Sequence, residues 1–396
     1  MTGLEYGIFD CDTHCYETRD SFTRFLPEKW RPYAIAPVRL QDGTERILAA
    51  DRIAVFNSEQ GLGFDLAYRP GSLKEMLRQM ASGNPDETYQ PEPMRPEYLD
   101  REARLKLMEA QGVERAVVFP SAMALSVENY VKHVPAAYAN LHSFNQWFDE
   151  EWGFGRDGKV FAPALLSLAD RDLAVAELDF VLGRGARIIM LPTGPAYGRS
   201  PGDPYFDPIW SRMNEAGVTV AFHIMENWYN ENIAAAWGHD PWPGSWHMSA
   251  WQWNNLYGER PIEDTLSALV FDNLFGRFPN LHVATIELGC GWVPFLLHRL
   301  DHVGGLVDRR ISAFGMPLGG RPSEIFREHV WVSPFPEEDI ATLAAHIGVE
   351  QILMGSDWPH AEGTVEPADY LKALTAFDDA STRRIMRDNA LELVVA

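Results

Sequence analysis

The sequence predicts an α/β fold, best satisfied by a parallel (β/α)8 barrel, and two observations support this prediction. Short apolar runs rich in branched residues recur along the 396 residues, and amphipathic segments separate most of them. The candidate strands are Ile8–Asp12, Ala116–Pro120, Val160–Leu166, Ala186–Leu191, Val218–His223, His282–Glu287, His329–Val332 and Gln351–Asp357. Eight strand and helix units favour a closed barrel over the alternative, a doubly wound open sheet.

Five segments between these strands have apolar residues at helical spacing. The predicted helices are Glu97–Gln111, Tyr138–Trp152, Leu173–Arg184, Pro208–Ala216 and Pro294–Val307. Strands and helices together predict one domain over residues 1–396, and two long insertions interrupt it at about 18–96 and 224–260.

The two insertions differ in composition. In the first, Asp42-Gly43 lies between extended segments, which predicts a hairpin turn that could cap the barrel. The second concentrates tryptophan and tyrosine beside the predicted barrel mouth. These rings either line an apolar pocket for an organic substrate or form a packed insertion or subunit interface. The candidate substrate-binding residues are Trp228, Trp246 and His247, with Trp358 after the last strand.

Composition excludes some classes of partner. The chain carries 34 Lys and Arg against 56 Asp and Glu, a formal charge of -22, so a nucleic-acid or anionic membrane partner is not expected. No apolar run is long enough to span a bilayer, and no leader segment is expected. The cysteines Cys11, Cys15 and Cys290 fit neither a zinc module nor a disulfide framework, which predicts a reducing, cytoplasmic location.

A metal-binding pattern lies at the end of the first predicted strand. Asp12 and His14 are two residues apart, so on a strand their side chains point to the same side. In a parallel barrel this end of the strand is where catalytic residues gather. Because such short patterns also recur by chance and at strand caps, the interpretation depends on partners elsewhere in the chain.

Two other strand ends supply such partners. His223 ends the fifth predicted strand and Asp357 the eighth, so a closed barrel brings both to the cavity that Asp12 and His14 face. Two imidazoles and two carboxylates could hold one divalent cation, zinc or manganese. The alternative for each residue is structural, His223 as a hydrogen-bonded core residue and Asp357 as a turn cap.

The motifs at these positions resemble those of a known family. They are Phe9–His14, Val220–His223, Gly289–Pro294 with Arg299–Asp301, and Gly355–His360. Together they resemble the amidohydrolase superfamily, in particular the branch with aminocarboxymuconate semialdehyde decarboxylase and γ-resorcylate decarboxylase. The resemblance implies a metal-dependent barrel enzyme that acts on a small organic molecule and forms a homodimer or larger homo-oligomer.

The chain departs from this family at three places. Asp12 stands where many members have histidine and some decarboxylases have glutamate, so it either binds the metal or orients His14. Glu287 stands where relatives place a proton-transferring histidine, and it could shuttle protons or form a structural salt bridge. Binuclear relatives carry a lysine at the end of the fourth strand, whereas Arg187–Pro192 has none, which favours a single metal ion.

Three functions follow, and hydrolysis is placed narrowly first. In it, a metal-activated water attacks a carbonyl of an aromatic or cyclic substrate, Asp357 takes the proton, and Glu287 or His360 delivers one to the leaving group. The alternative is non-oxidative decarboxylation of an aromatic or muconate-like acid at the same site. A barrel that binds metal or ligand without turnover is third.

Overall fold

The computed structural model describes residues 4–41, 43, 45–53, 64–82, 89–121, 124, 127–225, 227–243, 248–306 and 318–394. Its strands are β1 Ile8–His14, β2 Ile35–Arg39, β3 Glu45–Ala49, β4 Arg52–Ile53, β5 Leu66–Ala67, β6 Glu92–Pro93, β7 Val113–Phe119, β8 Val160–Phe161, β9 Ala164–Leu165, β10 Ile188–Met190, β11 Thr219–His223, β12 His282–Ile286 and β13 Val330–Val332.

The helices occupy most of the chain between the strands. They are α1 Leu73–Ser82, α2 Pro96–Leu99, α3 Arg101–Gln111, α4 Val127–Tyr130, α5 Val134–Glu151, α6 Arg171–Gly183, α7 Asp207–Ala216, α8 Trp228–Ala236, α9 Ala250–Leu256, α10 Glu259–Phe271, α11 Leu274–Arg277, α12 Val293–Leu306, α13 Pro322–His329, α14 Ile340–Ile347, α15 Asp379–Arg383 and α16 Asn389–Val394. Short 3-10 helices occur as well, and Arg384–Asp388 is a π-helical segment. Within the described residues, no helix is long and apolar enough to cross a membrane.

Two parallel sheets organise the fold. One has the strand order β1-β7-β8, and the other has the order β13-β12-β11-β10-β9. All seven residues of β1 and all five of β11 are buried, as expected for parallel strands that are covered on both faces. The chain is therefore a mixed α/β fold in which β1 and β11 direct their ends into the protein interior.

The third predicted strand is divided. Val160–Leu166 forms β8, which pairs with β7, and β9, which pairs with β10. Pro163 lies between them, and because proline has no backbone N–H it cannot donate to a strand ladder. One continuous prediction thus corresponds to two short strands in different sheets.

The prediction of an eighth strand over Gln351–Asp357 is wrong, because this segment forms no regular strand. The segment is extended and bonds on both sides: the Leu353 N–H donates to Val332 O at 2.9 Å, and Met354 O accepts from the Cys11 N–H at 2.9 Å. Its ladder is interrupted because the Ser356 N–H donates to the Asp10 side chain, and Asp357 has a φ of 54°. This segment nevertheless joins the edge of one sheet to the edge of the other.

The first predicted insertion contains small antiparallel sheets. β2 pairs with β3, with Ile35 opposite Ala49 and Arg39 opposite Glu45, so the predicted hairpin pairing is confirmed, although Asp42 lies outside the described residues. β5 pairs with β6 further on. The second predicted insertion contains α8 and α9. The two segments meet where the Arg52 guanidinium lies 4.8 Å from the Trp242 ring centroid.

Candidate metal centre

Two histidines at strand ends present the same ring nitrogen to one place. The Nδ1 of His14 lies 3.0 Å from the carbonyl oxygen of Pro120, and the Nδ1 of His223 lies 2.8 Å from that of Ile224. A carbonyl can only accept, so each Nδ1 carries the proton and donates it. Each Nε2 is therefore left with a lone pair. Both side chains are buried, which fixes the orientation of the two rings.

Carboxylates surround these two nitrogens. Asp12 Oδ1 lies 3.3 Å from the Nε2 of His14 and 3.5 Å from the Nε2 of His223. Asp357 Oδ1 lies 3.4 Å from the Nε2 of His14, and Glu287 Oε2 lies 3.3 Å from the Nε2 of His223. The four residues assigned to a metal from the sequence are thus brought together, and Glu287 joins them.

The unsatisfied atoms of this cluster fit a cation. Asp12 Oδ1, His14 Nε2, His223 Nε2 and Asp357 Oδ2 are all buried and have no hydrogen-bond partner among the described residues. Buried polar atoms of this kind are normally paired, because an unpaired one costs about 1–3 kcal/mol. Asp12, His14, His223 and Glu287 each offer one ligand atom within 4.8 Å of the others, and so do His14, Glu287, Asp357 and His360. Imidazole nitrogens and carboxylate oxygens of this kind suit a divalent metal ion.

The cluster strongly perturbs proton binding. Burial, with His360 next, lowers the pKa of His14 to about 3, so its imidazole is neutral. Burial raises the pKa of Asp357, and Glu362 and Asp12 add to this effect. Burial, followed by Asp357 and Asp12, likewise raises the pKa of Glu287 well above the ordinary range. Burial also acts to raise the pKa of Asp12, but its contacts with the two imidazoles lower it overall.

His360 is the third imidazole at the site. Its Nδ1 lies 2.8 Å from Asp357 Oδ1, and its ring stacks on that of His14 with centroids 4.0 Å apart.

Glu287 and Asp357 both have a φ of 54°, a left-handed conformation that non-glycine residues seldom adopt. Such strained positions cluster at functional sites, because the surrounding structure must hold them there.

Asp10 braces the ligands and is a residue that sequence reasoning missed. Its fully buried Oδ1 accepts the N–H of Asp12 at 3.2 Å and that of Ser356 at 3.0 Å. The Asp357 N–H in turn donates to Asp12 O at 2.7 Å. One carboxyl thus holds the backbone at Asp12 and just before Asp357, the two candidate metal-binding aspartates. The available signal was a second aspartate, two positions before Asp12 in the same predicted strand.

A pocket of about 460 Å³ opens onto the cluster. Asp12, Glu287 and Asp357 form part of its wall. Gly355 lies beside them, and a Cβ at that position would be 2.6 Å from Asp12 Cβ, so only glycine fits against the ligand. The pocket gives a small organic molecule access to the metal-binding side chains.

Of the predicted substrate-binding residues, Trp228 and Trp358 do not line this pocket. Trp358 is buried, and the Arg104 guanidinium lies 4.4 Å from its ring centroid, which is a packing arrangement. Trp228 is 41% exposed and lines a separate groove of about 390 Å³ with Tyr229. Trp246 and His247 lie outside the described residues.

Comparisons with known proteins identify the family of the chain. The Amidohydrolase family model matches residues 9–394. The 2-amino-3-carboxymuconate-6-semialdehyde decarboxylase of Dictyostelium discoideum is 25% identical over 201 residues, and the match spans only half of either chain. The γ-resorcylate decarboxylase of Rhizobium sp. (strain MTP-10005) is 25% identical over 303 residues, 74% of this chain and 86% of that enzyme.

Two solved structures show the same fold. A crystal structure of an amidohydrolase from Mycobacterium avium subsp. paratuberculosis K-10 superposes with a TM-score of 0.86 and 35% identity, over 99% of this chain and 98% of that chain. A dihydroxybenzoic acid decarboxylase from Polaromonas sp. JS666, solved with bound manganese, has a TM-score of 0.57 and 18% identity, over 83% and 97% of the two chains.

Proposed function

The chain belongs to the amidohydrolase family, and from that premise we propose that it is a metal-dependent carboxy-lyase acting on a small aromatic or muconate-like acid. The observation that supports this most is the set of buried, unpaired ligand atoms of Asp12, His14, His223 and Asp357 beside an open pocket. The decarboxylase relatives favour this reaction over hydrolysis, which the sequence alone placed first.

One divalent ion, zinc or manganese, would be held by Asp12, His14, His223 and Asp357. When bound, such an ion supplies Lewis acidity toward a substrate carboxylate and a neighbouring oxygen. Support for manganese comes from the Polaromonas decarboxylase, and the mixed nitrogen and oxygen donors suit either metal. Asp12 acts as a direct ligand in this proposal, because its Oδ1 faces both imidazoles.

Glu287 is the acid in this proposal. Burial, followed by Asp357 and Asp12, raises its pKa, which favours the protonated carboxyl, and this form can deliver a proton to the substrate carbon that bears the carboxylate. The bond from that carbon to the carboxylate then breaks, its electron pair returns to the ring, and carbon dioxide leaves. Water restores the proton to Glu287. His360 holds Asp357 in place through its Nδ1.

Hydrolysis remains the second candidate, and the identity of residue 287 favours it. The family resemblance implies a proton-transferring histidine at this position, and its absence counts against decarboxylation, whereas in hydrolysis a carboxyl can protonate the leaving group. In this reaction Asp357 accepts a proton from the attacking water and Glu287 or His360 protonates the leaving group. Release of carbon dioxide, against formation of a new carboxylate with uptake of water, separates the two reactions.

We also propose that the two parallel sheets form one closed (β/α)8 barrel in a single domain, residues 1–396, with insertions at about 18–96 and 224–260. The support is residues 352–357, which form hydrogen bonds to β13 on one side and to β1 on the other.

A cytoplasmic location is proposed from the three free, buried cysteines. Assembly as a homodimer or larger homo-oligomer, and substrate contact by Trp246 and His247, stay predictions.

Metal content is the decisive measurement for this proposal. We expect purified protein reconstituted with manganese or zinc to hold about one ion per chain and to release carbon dioxide from 2,6-dihydroxybenzoate or a related acid. His223→Ala should lose most of the metal, while His298→Ala, at an exposed histidine on α12, should keep it. Full metal content in folded His223→Ala would disprove the site, and metal without carbon dioxide release from any acid would disprove the reaction.

A further inference from the structure

We propose that Lys74 and the first turn of α1 form an anion subsite in the pocket that holds the metal cluster. The substrate would then carry a second anionic group, a carboxylate remote from the reacting one. This inference rests on the proposed function and deepens it, because it narrows the substrate class from acids to dianionic acids.

The wall that carries Lys74 is fixed to the metal-binding loop. The Leu73 N–H donates to Ala361 O at 2.9 Å, and the Gly71 N–H donates to His360 O at 3.3 Å. Gly71 has a φ of +71°, and a Cβ there would lie 2.6 Å from Val365 Cγ2. The start of α1 is therefore held against the segment that follows Asp357, although it belongs to the first insertion.

Among the described residues that line the pocket, Lys74 is an exposed cation without an ion-pair partner. Lys74 and Lys372 both line the pocket, but the Nζ of Lys372 lies 2.7 Å from Asp369 Oδ1. No ion pair joins Lys74 to another residue in the part of the chain that the structure describes. A lysine held beside a cavity without a counter-charge suits an anionic ligand, because the ligand's charge replaces the missing partner.

The first turn of α1 adds to this preference. Leu73 and Met76 use their amides in hydrogen bonds, whereas none is found for the amides of Lys74 and Glu75 among the described residues. Free N–H groups and the helix dipole favour an anion at a helix start. Asp12 and Asp357, which each carry a buried oxygen without a partner among the described residues, line the same pocket, so this helix start adjoins a site that already requires a ligand.

Other charges in the pocket limit where an anion can bind. Glu337 and Glu362 also line it and are exposed, so they repel a carboxylate from the rest of the rim. A carboxylate is therefore favoured at two positions, at the cation that the metal-binding residues would hold and at Lys74. A substrate with two carboxylates would use both positions, with one carboxylate at the metal site and the other at Lys74.

Binding of two probes tests this subsite without requiring turnover. Benzoate has one carboxylate and isophthalate two, and both are titrated calorimetrically into the metal-loaded protein. Wild-type protein should prefer isophthalate. Lys74→Ala should weaken isophthalate binding about tenfold, the loss of one charge-assisted contact, and change benzoate binding less than twofold. Lys74→Arg should keep most of the isophthalate affinity.

Lys372→Ala is the matched control, since Lys372 lines the same pocket but is already paired. It should leave both affinities within about twofold of wild type. High salt should shrink the difference between wild type and Lys74→Ala, because it screens exposed charges. The subsite is disproved if wild type does not prefer isophthalate, or if Lys74→Ala binds it unchanged or loses both probes equally. Preference for isophthalate without carbon dioxide release from any acid would instead disprove the proposed reaction alone.

Discussion

Individual residues define this site through the hydrogen bonds they make away from it. The carbonyl oxygens of Pro120 and Ile224 each accept the Nδ1–H of a histidine. The Nε2 atoms of His14 and His223 are therefore left with a lone pair that can bind a metal ion. The same logic applies to Asp10, whose carboxyl positions the backbone rather than contacting the metal-binding atoms. Ligand geometry thus depends on side chains and carbonyls that no metal would touch.

Asp10→Ala should destabilise the protein by about 2–4 kcal/mol, because the buried N–H groups of Asp12 and Ser356 lose their common acceptor. Denaturant unfolding measures this change, and metal analysis should show reduced metal content. Asp10→Asn is the conservative control, since its amide oxygen can accept both hydrogen bonds, and it should retain most stability and metal. If Asp10→Ala kept wild-type stability and metal content, Asp10 would have no positioning role.

Elements of irregular shape determine which side chains reach the site. A regular strand over Gln351–Asp357 would continue its ladder past Ser356, but the Asp10 carboxyl takes the Ser356 N–H. Asp357 then adopts a left-handed backbone conformation. Its side chain therefore points in a different direction from the one it would have in a regular strand. The helix α1, from a separate part of the sequence, closes against the same segment.

Replacing Gly71 tests how firmly α1 is attached. Gly71→Ala combines a positive φ with a contact of 2.6 Å to Val365, so we expect a loss of about 1–3 kcal/mol in the free energy of unfolding. Gly305→Ala is the matched control: Gly305 lies in α12, and a Cβ there meets nothing within 4 Å. It should be neutral or slightly stabilising. Equal stability of the two variants would show that α1 is not held there.

At the scale of the whole molecule, packing between helices contributes a pH-dependent term. The Nδ1 of His142 on α5 lies 2.7 Å from Glu177 Oε2 on α6, and this hydrogen bond raises the pKa of His142. Because the folded pKa is raised, the stabilisation is fully present below the unfolded pKa and is lost as pH rises through the folded value. The His142 side chain is 41% exposed, so solvent screens the contribution.

His142→Gln should therefore cost more stability at pH 5 than at pH 8.5, by about 0.2–1 kcal/mol. Thermal or denaturant unfolding at both pH values, compared with wild type, measures the difference. His346→Gln, with no carboxylate pair found among the described residues, provides the control. A penalty that is the same at both pH values would show that the ion pair contributes nothing.

The sequence determined the α/β class and the residues that gather at the site. Periods of apolar residues reflect local burial, so β1, β11 and β12 were predicted nearly to their ends. The convergence of Asp12, His14 and His223 could be predicted because parallel strands bring their carboxyl ends to one edge, and Asp357 joins them although its segment is not a regular strand.

Tertiary structure alone decided the rest, since it depends on contacts between residues far apart in the chain. The bond from the Ser356 N–H to Asp10 spans 346 positions and breaks the eighth strand. The attachment of α1 to residues 360 and 361 brings Lys74 to the pocket, whereas Trp228 and Trp358 are placed outside it. Local patterns carry no information about such partners, because hydrogen bonds and burial between distant segments exist only once the chain has folded.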